Sequence, residues 1–193
     1  MHFPAAEPRK SLYYNYQVFP HYHGAAPETA DDQTVTVVGA GPIGMTAALL
    51  LAKQGVKVIL MSAELQLSEG SRALVYTKRS MEILQAAGAA GRIMAKALPW
   101  THGNSIYKGQ IAFRMASPVS EHDQFAPLNN LQQNWLEHFL LEEIQQQPNI
   151  EMRWGNKVVD HEQAHDQVTL TIETPEGAYQ HTSKRSEERR VGK

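Results

Sequence analysis

Hydrophobic and polar positions change register several times along the chain, and each change marks an element. Residues 1–32 (MHFPAAEPRKSLYYNYQVFPHYHGAAPETADD) interleave prolines and aromatics with neither a strand period nor a helix period, which predicts an irregular arm packed on something else. At Gln33 the pattern changes to TVTVVGAGPIGMTAALLLAKQGVKVILMSAE. Val35, Val37 and Val38 are β-branched and predict a short buried strand. The Ala- and Leu-rich run from Pro42 to Gln54 predicts a helix that Gly55 ends, and Val56 to Met61 predicts a second buried strand. Strand, helix and strand in this order predict a βαβ unit, and hence an α/β fold around a parallel sheet.

Farther along, Thr77 to Ala87 carries Met81 and Leu84 on one face and is followed by Gly88, which predicts a helix; Arg92 to Ala97 predicts a shorter one. Ser105 to Tyr107 and Gln110 to Met115, split by Lys108-Gly109, predict a hairpin. Leu131 to Gln146 reads as an amphipathic helix with Leu136, Phe139, Leu140 and Ile144 on its apolar side. Lys157 to Glu162, Gln167 to Glu173 and Ala178 to Thr182 alternate as strands, joined at His165-Asp166 and Pro175-Glu176-Gly177, and predict a β-meander.

Composition narrows the function classes. A chain of 193 residues with 42% hydrophobic residues can bury one core, here assigned to residues 33–184 behind the arm. A net charge of −2 supplies no basic field for nucleic acid or an anionic membrane, so neither is expected as a partner. Cysteine is absent, which excludes disulfides and thiolate chemistry and fits a reducing cytoplasm. Met1 to Lys10 has no apolar core of an export signal, and the longest apolar run, Ala47 to Ala52, is too short to span a bilayer. The nine histidines are scattered along the chain. His21-Tyr22-His23 has no third ligand near it in sequence, so it reads as plain surface arm, and no metal site is expected. Trp100 and Trp154 read as packing residues.

Residues 185–193, RSEERRVGK, begin abruptly where the last meander strand is expected to continue. Reverse-translated as AGA TCG GAA GAG CGT CGT GTA GGG AAA, they resemble a sequencing-library adapter read in frame. The segment is therefore expected to be foreign to the fold, with the native message running to Ser183 or Lys184.

The chemistry concentrates in Gly39-Ala40-Gly41-Pro42-Ile43-Gly44, which matches G-x-G-x-x-G. The first glycine permits the tight turn out of the strand, the second lets backbone approach a pyrophosphate, and the third lets helix and strand pack closely. The helix start then offers free N–H groups and a positive dipole end to phosphate. Alone the pattern is weak. Here it follows a strand, opens a helix and precedes a second strand, so a dinucleotide site is expected without a choice between FAD and NAD. A ribose-binding acid is expected at the end of that second strand; Ser62 holds the usual place, and Glu64 is the nearest carboxylate and the candidate.

Two further stretches carry a resemblance. The run Gly70-Ser71-Arg72-Ala73-Leu74-Val75-Tyr76-Thr77-Lys78-Arg79-Ser80-Met81-Glu82-Ile83-Leu84, followed by Gly88, resembles the second motif of the group A flavoprotein monooxygenases, and Asn130-Leu131-Gln132-Gln133-Asn134-Trp135-Leu136-Glu137 resembles that family's Q-x-x-L-E helix start. The family comprises hydroxylases of p-hydroxybenzoate, phenol and 3-(3-hydroxyphenyl)propionate, and the Tyr- and Pro-rich arm is most like the last branch. The resemblance implies a Rossmann-like FAD-binding domain, truncated here. It also implies FAD as cofactor, NADH or NADPH as co-substrate, and O2 as the source of an oxygen atom inserted into a small aromatic substrate. Carried over by position, Gly39, Ala40, Gly41, Pro42, Ile43 and Gly44 would hold the FAD pyrophosphate, Ser71 and Arg72 would meet the pyrophosphate or the flavin side, Gln133 would hydrogen-bond the cofactor, and Val158 would lie against adenine. An arginine fork and a donor–acceptor amide suit those roles.

Ser62 departs from the family's acidic residue, which bears on adenosine binding. The family's Asp-Gly and Gly-Asp motifs have no counterpart in the chain, so no catalytic residue is assigned. The resemblance is also compatible with a homo-oligomer. The alternatives are an FAD-binding fragment of another oxidoreductase, such as a halogenase or reductase relative, and an inert nucleotide-binding fragment without catalysis. A sheet lacking its later strands is expected to expose an unpaired edge, to dissolve poorly and to bind FAD weakly.

Overall fold

A computed structural model describes residues 1–23, 28–29, 33–69, 74–164 and 167–188. The main sheet grows from the predicted βαβ unit: β2 (Thr34–Val38), α1 (Pro42–Lys53) and β3 (Lys57–Met61), with β2 and β3 parallel in the register Val37↔Leu60. β1 (Glu28–Thr29) precedes it and joins a different sheet. Val58 and Leu60 enter the main core, while Ile59 and Met61 enter a second one on the opposite face. A strand buried on both faces cannot alternate with polar residues, which is why KVILM runs almost wholly apolar.

The next elements cover one face of that sheet. β4 (Val75–Thr77) leads into α2 (Lys78–Ala87), whose N-cap Thr77 accepts the N–H of Ser80, and α3 (Ala90–Lys96) follows. β5 (Leu98–Trp100) leads to the hairpin of β6 (His102–Tyr107) and β7 (Gln110–Ala116). β8 (Leu128–Asn130) pairs antiparallel with both β4 and β5 and so makes a small three-stranded sheet. α4 (Gln133–Ile144) packs on α1, burying Leu136, Leu140, Leu141 and Ile144 in the main core. β9 (Ile150–Arg153) then adds parallel to β3.

The meander covers the opposite face. β10 (Lys157–Ala164), β11 (Gln167–Thr174) and β12 (Gly177–Ser183) run antiparallel, and Leu170, Ile172 and Tyr179 pack on Ile59 and Met61. A buried polar contact links the layers, Thr36 Oγ1 to His181 Nε2 at 2.8 Å, and both residues are wholly enclosed. Because an unpaired polar group would be costly there, the contact fixes how the meander sits on β2.

The arm is irregular through residue 23 and packs on the fold: Tyr14 and Tyr16 are buried in the main core, Phe19 stacks on Trp154 at 4.6 Å, and β1 pairs with β12. The last meander strand ends at Ser183, and the tail does not stay outside the fold. Arg185–Glu188 forms β13, parallel to β2, so the main sheet runs β13-β2-β3-β9. Sheet pairing uses backbone groups, so even a charged sequence can complete an otherwise free edge.

Candidate functional site

The glycine turn stands at the carboxyl end of β2, where ligands of open parallel sheets bind. Gly39 has φ +99, a conformation that a side chain would strain, and its N–H donates to Met61 O at 2.9 Å. Gly44 faces that turn directly. A Cβ placed on it would come within 1.9 Å of Gly39 O, so neither helix nor turn could keep its position. α1 therefore begins tight against β2.

Its N-cap is Gly41, in extended conformation with no side-chain cap, and Pro42 follows at the first helical position. The first turn carries no acidic residue, and the exposed Ile43 offers no competing donor or acceptor side chain. Orphan N–H groups at a helix start, unscreened by a cap or carboxylate, are the donor set that a diphosphate requires. The turn thus fits the pyrophosphate of a dinucleotide on observed backbone geometry.

The end of β3 is organised differently from a bare ribose-binding acid. Ser62 is buried; its N–H donates to Arg153 O at 2.8 Å, and its hydroxyl accepts the N–H of Glu64 at 3.2 Å. Glu64 is half-exposed and lies 3.3 Å from Arg9 Nη2, so its carboxylate is engaged by the arm. Arg9 also reaches the carbonyl of Leu67, and His2 Nε2 contacts Ala63 O at 2.7 Å. Sequence reading missed this cover because an aperiodic arm gives no sign of where it lands.

Gln133 opens α4, and its amide donates to Glu137 Oε1 at 2.8 Å. Glu137 is 1% exposed, and its other oxygen accepts the N–H of Ser68 at 2.8 Å. This carboxylate thus joins Ser68, just before the second motif, to the start of α4. Leu131 N also donates to Leu74 O at 2.9 Å, so the residues on both sides of 70–73 are tied to the start of α4. Ser71 and Arg72 themselves lie outside the described residues. The signal that could have revealed Glu137 is its place on the buried stripe with Leu140, Leu141 and Ile144, where a charge without a partner would be prohibitive.

Val158 is half-buried in β10 and packs against the second core, which contains Met61 at the carboxyl end of β3. Trp154 is enclosed beneath Phe19, and Trp100 Nε1 donates to Asn130 Oδ1 at 2.7 Å; both serve packing. A cleft lined by Thr34, Lys57, Ile150 and Glu151 lies at the opposite, amino-terminal ends of the strands and has no part in the glycine site. Among the described residues, no helix is long and apolar enough to cross a membrane.

Comparison with known proteins decides what kind of dinucleotide domain this is. A family model described as FAD binding domain matches residues 32–184. The chain belongs to this FAD-binding domain family. Para-nitrophenol 4-monooxygenase of Pseudomonas sp. (strain WBC-3) is 31% identical over 156 residues, which cover 78% of this chain and 37% of that protein. A 3-(3-hydroxy-phenyl)propionate/3-hydroxycinnamic acid hydroxylase of Mycobacterium sp. (strain JLS) is 28% identical over 155 residues, covering 76% of this chain and 26% of that protein. The crystal structure of p-nitrophenol 4-monooxygenase from Pseudomonas putida DLL-E4 superposes with a TM-score of 0.76 at 28% identity, covering 82% of this chain and 40% of that one. The chain therefore spans about a quarter to two fifths of the length of these relatives, which are named as aromatic monooxygenases. The α/β fold and the FAD-binding domain that were expected are those found, and the relatives carry names of the aromatic hydroxylase kind that the resemblance implied.

Proposed function

We propose that this chain is the FAD-binding portion of a flavin-dependent monooxygenase that hydroxylates a small phenolic or aromatic substrate, with NADH or NADPH as electron donor and O2 as oxygen source, in a reducing cytoplasm. The observation that carries the reading is the uncapped start of α1 set against the Gly39 turn, which only glycine at position 44 permits. Bound FAD would supply the redox chemistry, and the protein would supply position, charge and exclusion of water.

The residues divide that work. Gly39, Ala40, Gly41, Pro42, Ile43 and Gly44 form the diphosphate cradle; Pro42 has no N–H and that of Gly39 is given to Met61 O, so the remaining backbone N–H groups do what basic side chains do elsewhere. Ser71 and Arg72 are assigned to the cofactor from the motif alone, supported by the anchoring of Ser68 and Leu74 on either side. Gln133 presents its amide from the same helix start that receives those anchors. Glu64 is the acid assigned to the ribose, in exchange for its present contact with Arg9. Val158 offers an apolar surface to adenine from the meander.

Flavin fluorescence quenching tests the cradle. The chain is expected to bind FAD weakly and Gly44→Val not at all, while circular dichroism verifies that the variant is folded. Equal binding by both proteins would overturn the assignment. The activity needs the longer protein. An uninterrupted reading frame beyond Ser183 is expected to carry the Asp-Gly and Gly-Asp motifs, and its product to consume O2 and NAD(P)H when a phenol is added. Oxidation that no aromatic compound stimulates would remove the hydroxylase reading and leave an FAD-binding fragment of another kind.

A further inference from the structure

The arm and the meander meet at a cluster that neither the fold nor the cofactor site requires. Glu176, in the turn between β11 and β12, lies with Oε1 3.1 Å from His21 Nε2 and 2.6 Å from His23 Nδ1. All three ligand atoms lie within 4.8 Å of one another. The third ligand missing from the local sequence is thus supplied by a residue far along the chain.

We infer that His21, His23 and Glu176 form a divalent transition-metal site of the zinc class, which clips the amino-terminal arm to the meander. Two imidazoles and one carboxylate are a borderline-soft nitrogen and oxygen set, suited to zinc and its neighbours rather than to magnesium or calcium. Tetrahedral zinc with ligand bonds of about 2.0–2.1 Å sets its ligand atoms about 3.3 Å apart. The two histidine–glutamate distances fall short of that by only tenths of an ångström to well under one, so small side-chain rotations open the cluster around an ion.

The scaffold holds these groups in place without the ion. Tyr22, between the histidines, donates its N–H to Trp154 O at 2.9 Å, and its ring lies beneath the Arg153 guanidinium at 4.3 Å. Residues one apart from it on an extended chain point to the same side, so anchoring Tyr22 presents both imidazoles together. Phe19, stacked on Trp154, fixes the approach of the arm. On the other side, buried Thr174 accepts the N–H of Glu176 at 3.2 Å and donates to Gly177 O at 3.0 Å, which sets the turn that carries the carboxylate. Glu176 and His23 are open enough to water for an ion to enter and for solvent to fill the fourth position.

Three ligands and an open position also describe a catalytic zinc centre, but the cluster holds no further His, Cys, Asp or Glu among the described residues. The role is therefore structural: the ion would close a chain segment of about 150 residues between His23 and Glu176 and stabilise the folded arm by mass action.

Isothermal titration of the metal-stripped chain with Zn2+ alone tests the inference, and absorption of Co2+ in its place reports coordination geometry. One ion per chain is expected, with a rise in thermal midpoint, tetrahedral Co2+ bands, and binding at least about tenfold weaker in His23→Asn and in Glu176→Gln. His122→Asn, at an exposed histidine outside the cluster, is expected to bind as the unaltered chain does. If either cluster variant is misfolded by circular dichroism, the other carries the test. The inference is overturned if the chain takes up no zinc, or if its affinity survives both cluster substitutions. It stands apart from FAD binding, so either can fail alone.

Discussion

Tyr14 and Tyr76 are kept as neutral phenols by burial, which pushes each up to about 12, with the negative charge of Glu137 acting in the same direction. Tyr14 also holds its hydroxyl 2.9 Å from His138 Nδ1 and stands edge-on to Trp135. A phenol whose folded value is raised favours the folded state while protonated. Its contribution is complete below the ordinary value of about 10 and is lost as pH rises toward about 12. In an alkaline ultraviolet titration, Tyr14 and Tyr76 are therefore expected to ionise well above the ordinary value, with the urea midpoint falling over the same interval. Glu137→Gln is expected to bring both titrations down. Ionisation of all seven tyrosines together near pH 10 would contradict this.

Among the elements, α4 carries the largest polar commitment in its first turns. Glu137 satisfies both the Ser68 N–H and the Gln133 amide from inside the core. Its replacement by alanine strands two donors and leaves a void, so Glu137→Ala is expected to cost about 3 kcal/mol in urea unfolding, against about 1 kcal/mol for Gln133→Ala. Equal losses would mean that Ser68 finds another acceptor. The same helix illustrates what a sequence reveals. Its apolar stripe, the βαβ unit, α2 and the meander were legible because each sustains one period over many residues. β4, β5, β8 and β9 were not, since three- and four-residue strands such as LPW or IEMR are too short to establish alternation. β13 has no apolar pattern at all and exists only through its pairing with β2. At the site, the glycine turn was readable because each position answers one steric demand. The Arg9–Glu64 contact and the His21–His23–Glu176 cluster were hidden because both depend on where an aperiodic arm lands.

For the whole molecule, the hairpin of β6 and β7 is the conspicuous imbalance. Among the described residues it pairs with no other sheet, and nearly every residue of both strands is exposed, including Ile106, Tyr107, Ile111, Phe113 and Met115. A two-stranded ribbon with apolar side chains is marginal alone and presents two open edges to other chains. The relatives are more than twice as long as this chain, and family members fold with that additional sequence present. The isolated chain is therefore expected to self-associate through the hairpin as its concentration rises. In sedimentation velocity, Phe113→Lys with Ile111→Lys is expected to restore the monomer, because lysine on an exposed edge opposes further pairing without touching the core. The cofactor supplies a second reading of the same imbalance, since the glycine turn lies on α1 and β2, away from the hairpin. FAD affinity should then be unchanged in the double variant. A chain that sediments as a stable monomer while retaining stoichiometric FAD would instead mean that the domain is complete without the sequence its relatives add.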